Sequence, residues 1–62
     1  MQFFKFRVLV DNLVIYEKSQ LFSDLLAAQT FITNEFPLAE DKIIIFGANS
    51  APLAERSDGV WL

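Results

Sequence analysis

The side chains that could do chemistry in this chain are few in kind, because its 62 residues include neither cysteine nor histidine. The usual nucleophile–base pairs and transition-metal ligands are therefore lacking, which leaves carboxylates, lysines, hydroxyls and the phenol of Tyr16. Nearly all of the eight carboxylates fall at turns, caps or the solvent side of a helix, where solvated structural roles are typical. The eight residues are Asp11, Glu17, Asp24, Glu35, Glu40, Asp41, Glu55 and Asp58. We expect no catalytic residue and no enzyme activity.

Ligand-binding motifs are also missing from the sequence. Gly47 and Gly59 are too far apart to form a glycine-rich phosphate cradle. Glu40, Asp41 and Asp58 could offer oxygens to a hard cation, but no loop has the dense alternation of oxygen ligands that calcium sites show. We therefore expect no metal, no cofactor and no small-molecule substrate.

Charge and hydropathy narrow the classes of partner. The net charge is −3 and the sequence pI is near 4.5, which argues against duplex DNA or an anionic membrane as the main partner. No apolar run approaches the roughly 20 residues that span a bilayer. Lys5 and Arg7 interrupt the first apolar stretch, which lacks a cleavage site for a signal peptide. We expect a cytoplasmic protein.

The first half of the chain predicts a hairpin followed by a helix. Residues 2 to 10 alternate with a period of two, so they predict a strand with Phe4, Phe6, Val8 and Val10 on one face. Asp11-Asn12 supplies a turn, and an extended pattern resumes from 13 to 19. A Ser23-Asp24 N-cap starts a helix that Pro37 ends.

The second half predicts one more strand and a long loop. Residues 42 to 46 predict a short apolar strand that ends at Gly47. Residues 48 to 59 have the small and polar composition of a surface loop, with a turn at 57 to 59. Residues 60 to 62 predict a short edge strand or a docked tail. We predict a single α+β domain over 1–62. It is a two-layer sandwich of ββαβ(β) order, in which one helix covers one face of a three- to four-stranded, mostly antiparallel sheet.

The apolar content exceeds what this architecture can bury. Hydrophobic residues make up 53% of the chain, and one helix covers only one face of a sheet. Leu53, Trp61 and Leu62 could fold back as a lid over the other face; otherwise that face is an exposed apolar patch of the kind that marks interfaces. The predicted interface residues are Phe3, Leu9, Ile44, Phe46, Leu53, Trp61 and Leu62.

These observations favour a small non-catalytic protein–protein interaction module. It would act as a homodimer, or as a subunit, inhibitor or adaptor that binds and modulates a larger protein. The alternative is a single-stranded nucleic-acid binder that uses Phe3, Lys5 and Arg7 on the first strand. Alternation places Phe4 and Phe6 on the other side of that strand, so only Phe3 within it shares a face with the two cations, which makes a poor stacking platform.

Overall fold

The computed structural model describes all 62 residues and contains five strands and one helix. The α+β class is therefore confirmed, while the predicted count of three to four strands was too low. In chain order, the elements are β1 (Gln2–Val10), β2 (Leu13–Phe22), α1 (Leu25–Glu35), β3 (Lys42–Phe46), β4 (Pro52–Ser57) and β5 (Val60–Trp61).

The five strands form one sheet in the order β2-β1-β3-β4-β5, and every neighbouring pair is antiparallel. Asp11 and Asn12 join β1 to β2 with φ angles of 51° and 64°. Two consecutive residues with positive φ match the twist of a right-handed hairpin, and aspartate and asparagine tolerate that geometry better than most residues. The predicted first hairpin is confirmed.

The extra strand comes from the segment predicted as a surface loop, whereas β5 agrees with the short edge strand that was one of the two predictions for residues 60 to 62. Residues 52 to 57 of that segment form β4, which pairs with β3 on one side and β5 on the other. Pro52 stands at its first position, where a missing N–H interrupts the ladder least. Asp58 and Gly59, with φ of 54° and 81°, make a second tight turn that leads into the two-residue edge strand β5.

The helix lies on one face of this sheet and begins and ends close to the predicted residues. Asp24 is its N-cap, and the Asp24 carboxylate accepts a hydrogen bond of 2.8 Å from the backbone N–H of Ala27. The helix ends at Glu35, shortly before Pro37. Its inner face buries Ala28 and Ile32. With 11 residues, it is too short to cross a membrane, and the chain has no other helix.

A single core lies between the helix and the sheet. The face of β1 that was predicted to pack against the helix does so, because Phe4, Phe6 and Val8 are almost fully buried. The ring centroid of Phe6 lies 5.7 Å from that of Phe22, in an edge-to-face arrangement, and 5.8 Å from that of the tilted Phe31 ring, both within the range that aromatic pairs prefer. The buried hydrophobic residues are Phe4, Phe6, Val8, Ala28, Ile32, Ile43, Ile45 and Ala54.

Candidate binding surface: the open face of the sheet

The face of the sheet that points away from α1 is the candidate site, and we call it the open face. Because successive side chains of a strand alternate between faces, burial of one set in the core places the other set here. The neighbours of the buried residues in β1, β3 and β4 therefore line the open face, together with their cross-strand partners in β2. The predicted residues among them are Phe3, Lys5, Arg7, Leu9, Ile44, Phe46 and Leu53.

The centre of the open face is charged and internally paired. Arg7 lies opposite Glu17, and its Nε donates a hydrogen bond of 2.6 Å to Glu17 Oε2. Lys5 Nζ is 3.6 Å from the other oxygen of the same carboxylate. The hydrogen bond from Arg7 is the main cause that lowers the pKa of Glu17 below its ordinary value. A separate ion pair of 3.0 Å joins Lys42 to Glu55.

The ring of Phe46 lies beneath both cations of β1. Lys5 is the direct cross-strand partner of Phe46, with its Nζ 5.8 Å from the ring centroid, and Arg7 Cζ is 4.9 Å from the same centroid. Both distances are in the range of cation–π attraction. The aromatic surface beside Lys5 and Arg7 is therefore made by Phe3 and Phe46 together, which alternation within β1 alone could not reveal.

Large apolar side chains surround this charged centre and stay in contact with solvent. Phe3 lies opposite Leu21 at one end of the face, and the two side chains are 58% and 45% exposed. Leu9 lies opposite Val14 at the other end. Leu53 is half-exposed over β4, next to Gly47. Exposed apolar side chains grouped on one face are typical of interfaces.

The C-terminal segment does not cover the open face. Trp61 lies opposite Arg56, which points into the core, so the indole packs on the helix side and its Nε1 donates a hydrogen bond of 3.3 Å to Thr33 Oγ1. Leu53 and Leu62 remain exposed. The hypothesis that these three residues form a lid was therefore wrong, and the structure separates Trp61 from the five predicted interface residues that lie in β1, β3 and β4.

Charge is distributed unevenly between the two sides of the molecule. The open face carries three basic residues, Lys5, Arg7 and Lys42, and two acidic ones, Glu17 and Glu55, which gives it a charge of +1. The two remaining basic residues and six remaining acidic residues give −4, which together make the net −3 of the chain. The open face is thus the basic side of an acidic protein.

Two residues that the sequence placed at the surface are buried instead. Arg56, expected in an exposed loop, is only 2% exposed, and its Nη2 donates hydrogen bonds of 2.8 and 3.0 Å to the carbonyl oxygens of Leu38 and Asp41. Asp41, expected to be solvated, is also buried. Arg56 Nε has no partner. Arg56 therefore ties the connection between α1 and β3 to β4, and this role became visible only once β4 was placed.

The one pocket of the chain is a shallow groove of about 340 Å³ beside α1, away from the open face. Its polar side chains are neutral, and two of them bond within the chain: Thr33 accepts from the indole of Trp61, and Thr30 Oγ1 donates to the carbonyl of Leu26. No three acidic residues meet where they could hold a metal ion.

No protein-family model, curated protein or solved structure matches this chain, so a functional assignment depends on the open face itself.

Proposed function

We propose that the chain is a small, non-catalytic protein–protein interaction module whose contact surface is the open face. The observation that carries this proposal is the uncovered apolar surface around Phe3, Leu21 and Leu53, on a face that neither α1 nor the C-terminal segment covers. The module acts in the cytoplasm as a homodimer, or as a subunit, inhibitor or adaptor that binds and modulates a larger protein.

The composition of the open face fits a protein partner. Aromatic residues and arginine are enriched at interfaces, and here Arg7 lies over the ring of Phe46, with Phe3 further along the same face of β1. The central charges already have partners within the chain, so a protein docking on the face need not supply one partner for each. The +1 charge of the face favours a partner whose apolar surface has an acidic rim.

Capture from the native host with matched variants tests this proposal. Phe3→Glu places a charge on the open face, and Leu26→Glu makes the same kind of change at an exposed apolar residue of α1. We expect the wild type and Leu26→Glu to retain the same protein, and Phe3→Glu to lose it. The purified partner should then bind the wild type at least about tenfold more tightly than Phe3→Glu in calorimetry. Equal binding by both variants would exclude the open face as the contact surface.

A second candidate, single-stranded nucleic-acid binding, is supported by the position of Phe46. Lys5 and Arg7 share their face with two aromatic rings, one on each central strand, and aromatics beside basic side chains are how sheets bind unpaired bases. The ion pairs to Glu17 work against this function, because they neutralise part of the charge that phosphates would need.

Fluorescence anisotropy with labelled single-stranded oligonucleotides tests the second candidate. Lys5→Glu/Arg7→Glu should abolish salt-sensitive binding, whereas Lys18→Glu should retain most of it, because Lys18 is exposed on the other side of the sheet. Absence of binding by the wild type at low salt ends this candidate.

A further inference from the structure

The outer edge of β2 is the longest strand edge of the fold whose backbone groups have no neighbouring strand to pair with. β2 has ten residues and is hydrogen-bonded only to β1, because it stands at the end of the strand order. In an antiparallel sheet, about half of the residues of such a strand direct their N–H and C=O groups away from the sheet. Those groups form a ready template for another strand.

This edge lacks most of the features by which proteins prevent strand pairing. It contains no proline, and its charged residues, Glu17 and Lys18, are confined to its middle. The one bulge in its pairing with β1 lies near the turn, beside Ile15. By contrast, the opposite edge consists of the two-residue β5 and the first residues of β4, 52 to 54, which begin at a proline without an N–H and offer little backbone to pair with. The two edges of the sheet are thus unequal, and only β2 is open for pairing.

The pattern along β2 is complementary to itself in the antiparallel direction. Residues 13 to 15 are apolar and exposed, residues 17 to 20 are polar, and residues 21 to 22 are apolar again. When two copies align antiparallel, the apolar start of one strand lies beside the apolar end of the other, and the polar segments lie together. On the helix side, Tyr16 packs on Phe36 and Phe22 packs on Phe31, so the edge is held in place before it pairs.

From this edge we propose that a second copy of the chain pairs antiparallel along β2, which joins two five-stranded sheets into one ten-stranded sheet. Two-fold pairing uses the open edge of both copies, and the edges left over are the short β5 strands, so assembly stops at a dimer. Stacking two open faces would instead bring together two surfaces that each carry a charge of +1. This inference rests on the proposed self-association but assigns it to the edge of β2 rather than to the open face, and it leaves both open faces free for a different partner.

The molar mass in solution tests the pairing. Sedimentation equilibrium from low micromolar to submillimolar concentration should give twice the chain mass of 7.1 kDa. Ile15→Lys, at an exposed position of β2, should raise the dimer dissociation constant at least about tenfold, because lysine is a residue that protects natural edges. Leu26→Lys is the matched control on α1 and should leave the dimer intact. Leu53→Glu, on the open face far from β2, should also leave it intact.

Cross-linking locates the contact independently of these variants. The chain has no cysteine, so a single one can be introduced at Lys18, in the middle of β2, or at Asn49, in an exposed loop. A short bifunctional maleimide should couple Lys18→Cys much faster than Asn49→Cys. Any of four results would overturn the inference: a monomer at all concentrations, equal coupling at both sites, open-ended assembly, or a dimer that is sensitive to Leu53→Glu but not to Ile15→Lys. The last result would leave the open-face proposal standing.

Discussion

Replacing each of two neighbouring isoleucines of β3 by alanine should have very different effects. Ile45 is fully buried beneath α1, whereas Ile44 faces the open side and is only partly buried. An isoleucine-to-alanine change in a core costs about 2–5 kcal/mol, since it removes buried apolar surface and leaves a cavity. A domain of 62 residues has a total stability of about 3–9 kcal/mol. Ile45→Ala should therefore remove most of the stability, and Ile44→Ala no more than about 1–2 kcal/mol.

Urea denaturation measures both losses in one assay. Trp61 is a suitable probe because its indole lies against α1 and bonds to Thr33, so unfolding changes its fluorescence. If Ile45→Ala does not fold, substitution of each isoleucine by valine gives the same contrast on a smaller scale. The expected loss in the free energy of unfolding is about 0.5–1.5 kcal/mol for Ile45→Val and at most about 0.5 kcal/mol for Ile44→Val. Equal losses at low protein concentration, or a greater loss at Ile44, would refute the assignment of faces, and with it the existence of an uncovered open face.

Two further predictions concern charged side chains. Because the pKa of Glu17 is lowered in the folded chain, its ion pairs stabilise the fold above its unfolded pKa of about 4.5, and that contribution disappears as the pH falls through the folded pKa. Glu17→Gln should therefore flatten the acidic part of a plot of melting temperature against pH. An unchanged plot would contradict the stabilising role of the Arg7–Glu17 pair. Arg56→Ala removes the Arg56 donor from the Asp41 carbonyl and one of two donors from the Leu38 carbonyl, which keeps the N–H of Asp41, so it should lower the free energy of unfolding by about 1–3 kcal/mol and speed amide exchange between residues 38 and 42. No loss in urea denaturation would show that this buried arginine does not hold the connection.

Much of the fold could be predicted because its signals are local. The alternation of β1, the Asp11-Asn12 turn and the stop at Pro37 each depend on residues close together in sequence. Strand β4 was missed because proline, glutamate, arginine and serine have little intrinsic preference for a strand. Its conformation comes from the backbone partners that β3 and β5 provide, and no local pattern contains that information.

The candidate site was predictable to a similar extent. Period-two alternation correctly placed Phe3, Leu9 and Phe46 away from the helix. The same rule could not show that Phe46 lies opposite Lys5, or that Trp61 turns to the helix side, since both depend on which strands are neighbours and in which register.

By itself, the sequence determined which side chains share a face within each element, where the helix begins and ends, and that apolar surface exceeds what one helix can cover. Only the tertiary structure decided the strand order β2-β1-β3-β4-β5, the pairing of Arg7 and Lys5 with Glu17, and the burial of Arg56. The physical reason is the separation in sequence over which each kind of interaction acts. Side-chain direction repeats every two or three to four residues along the chain, whereas strand partners are chosen by closing long loops in the way that buries the most surface and satisfies the most backbone groups.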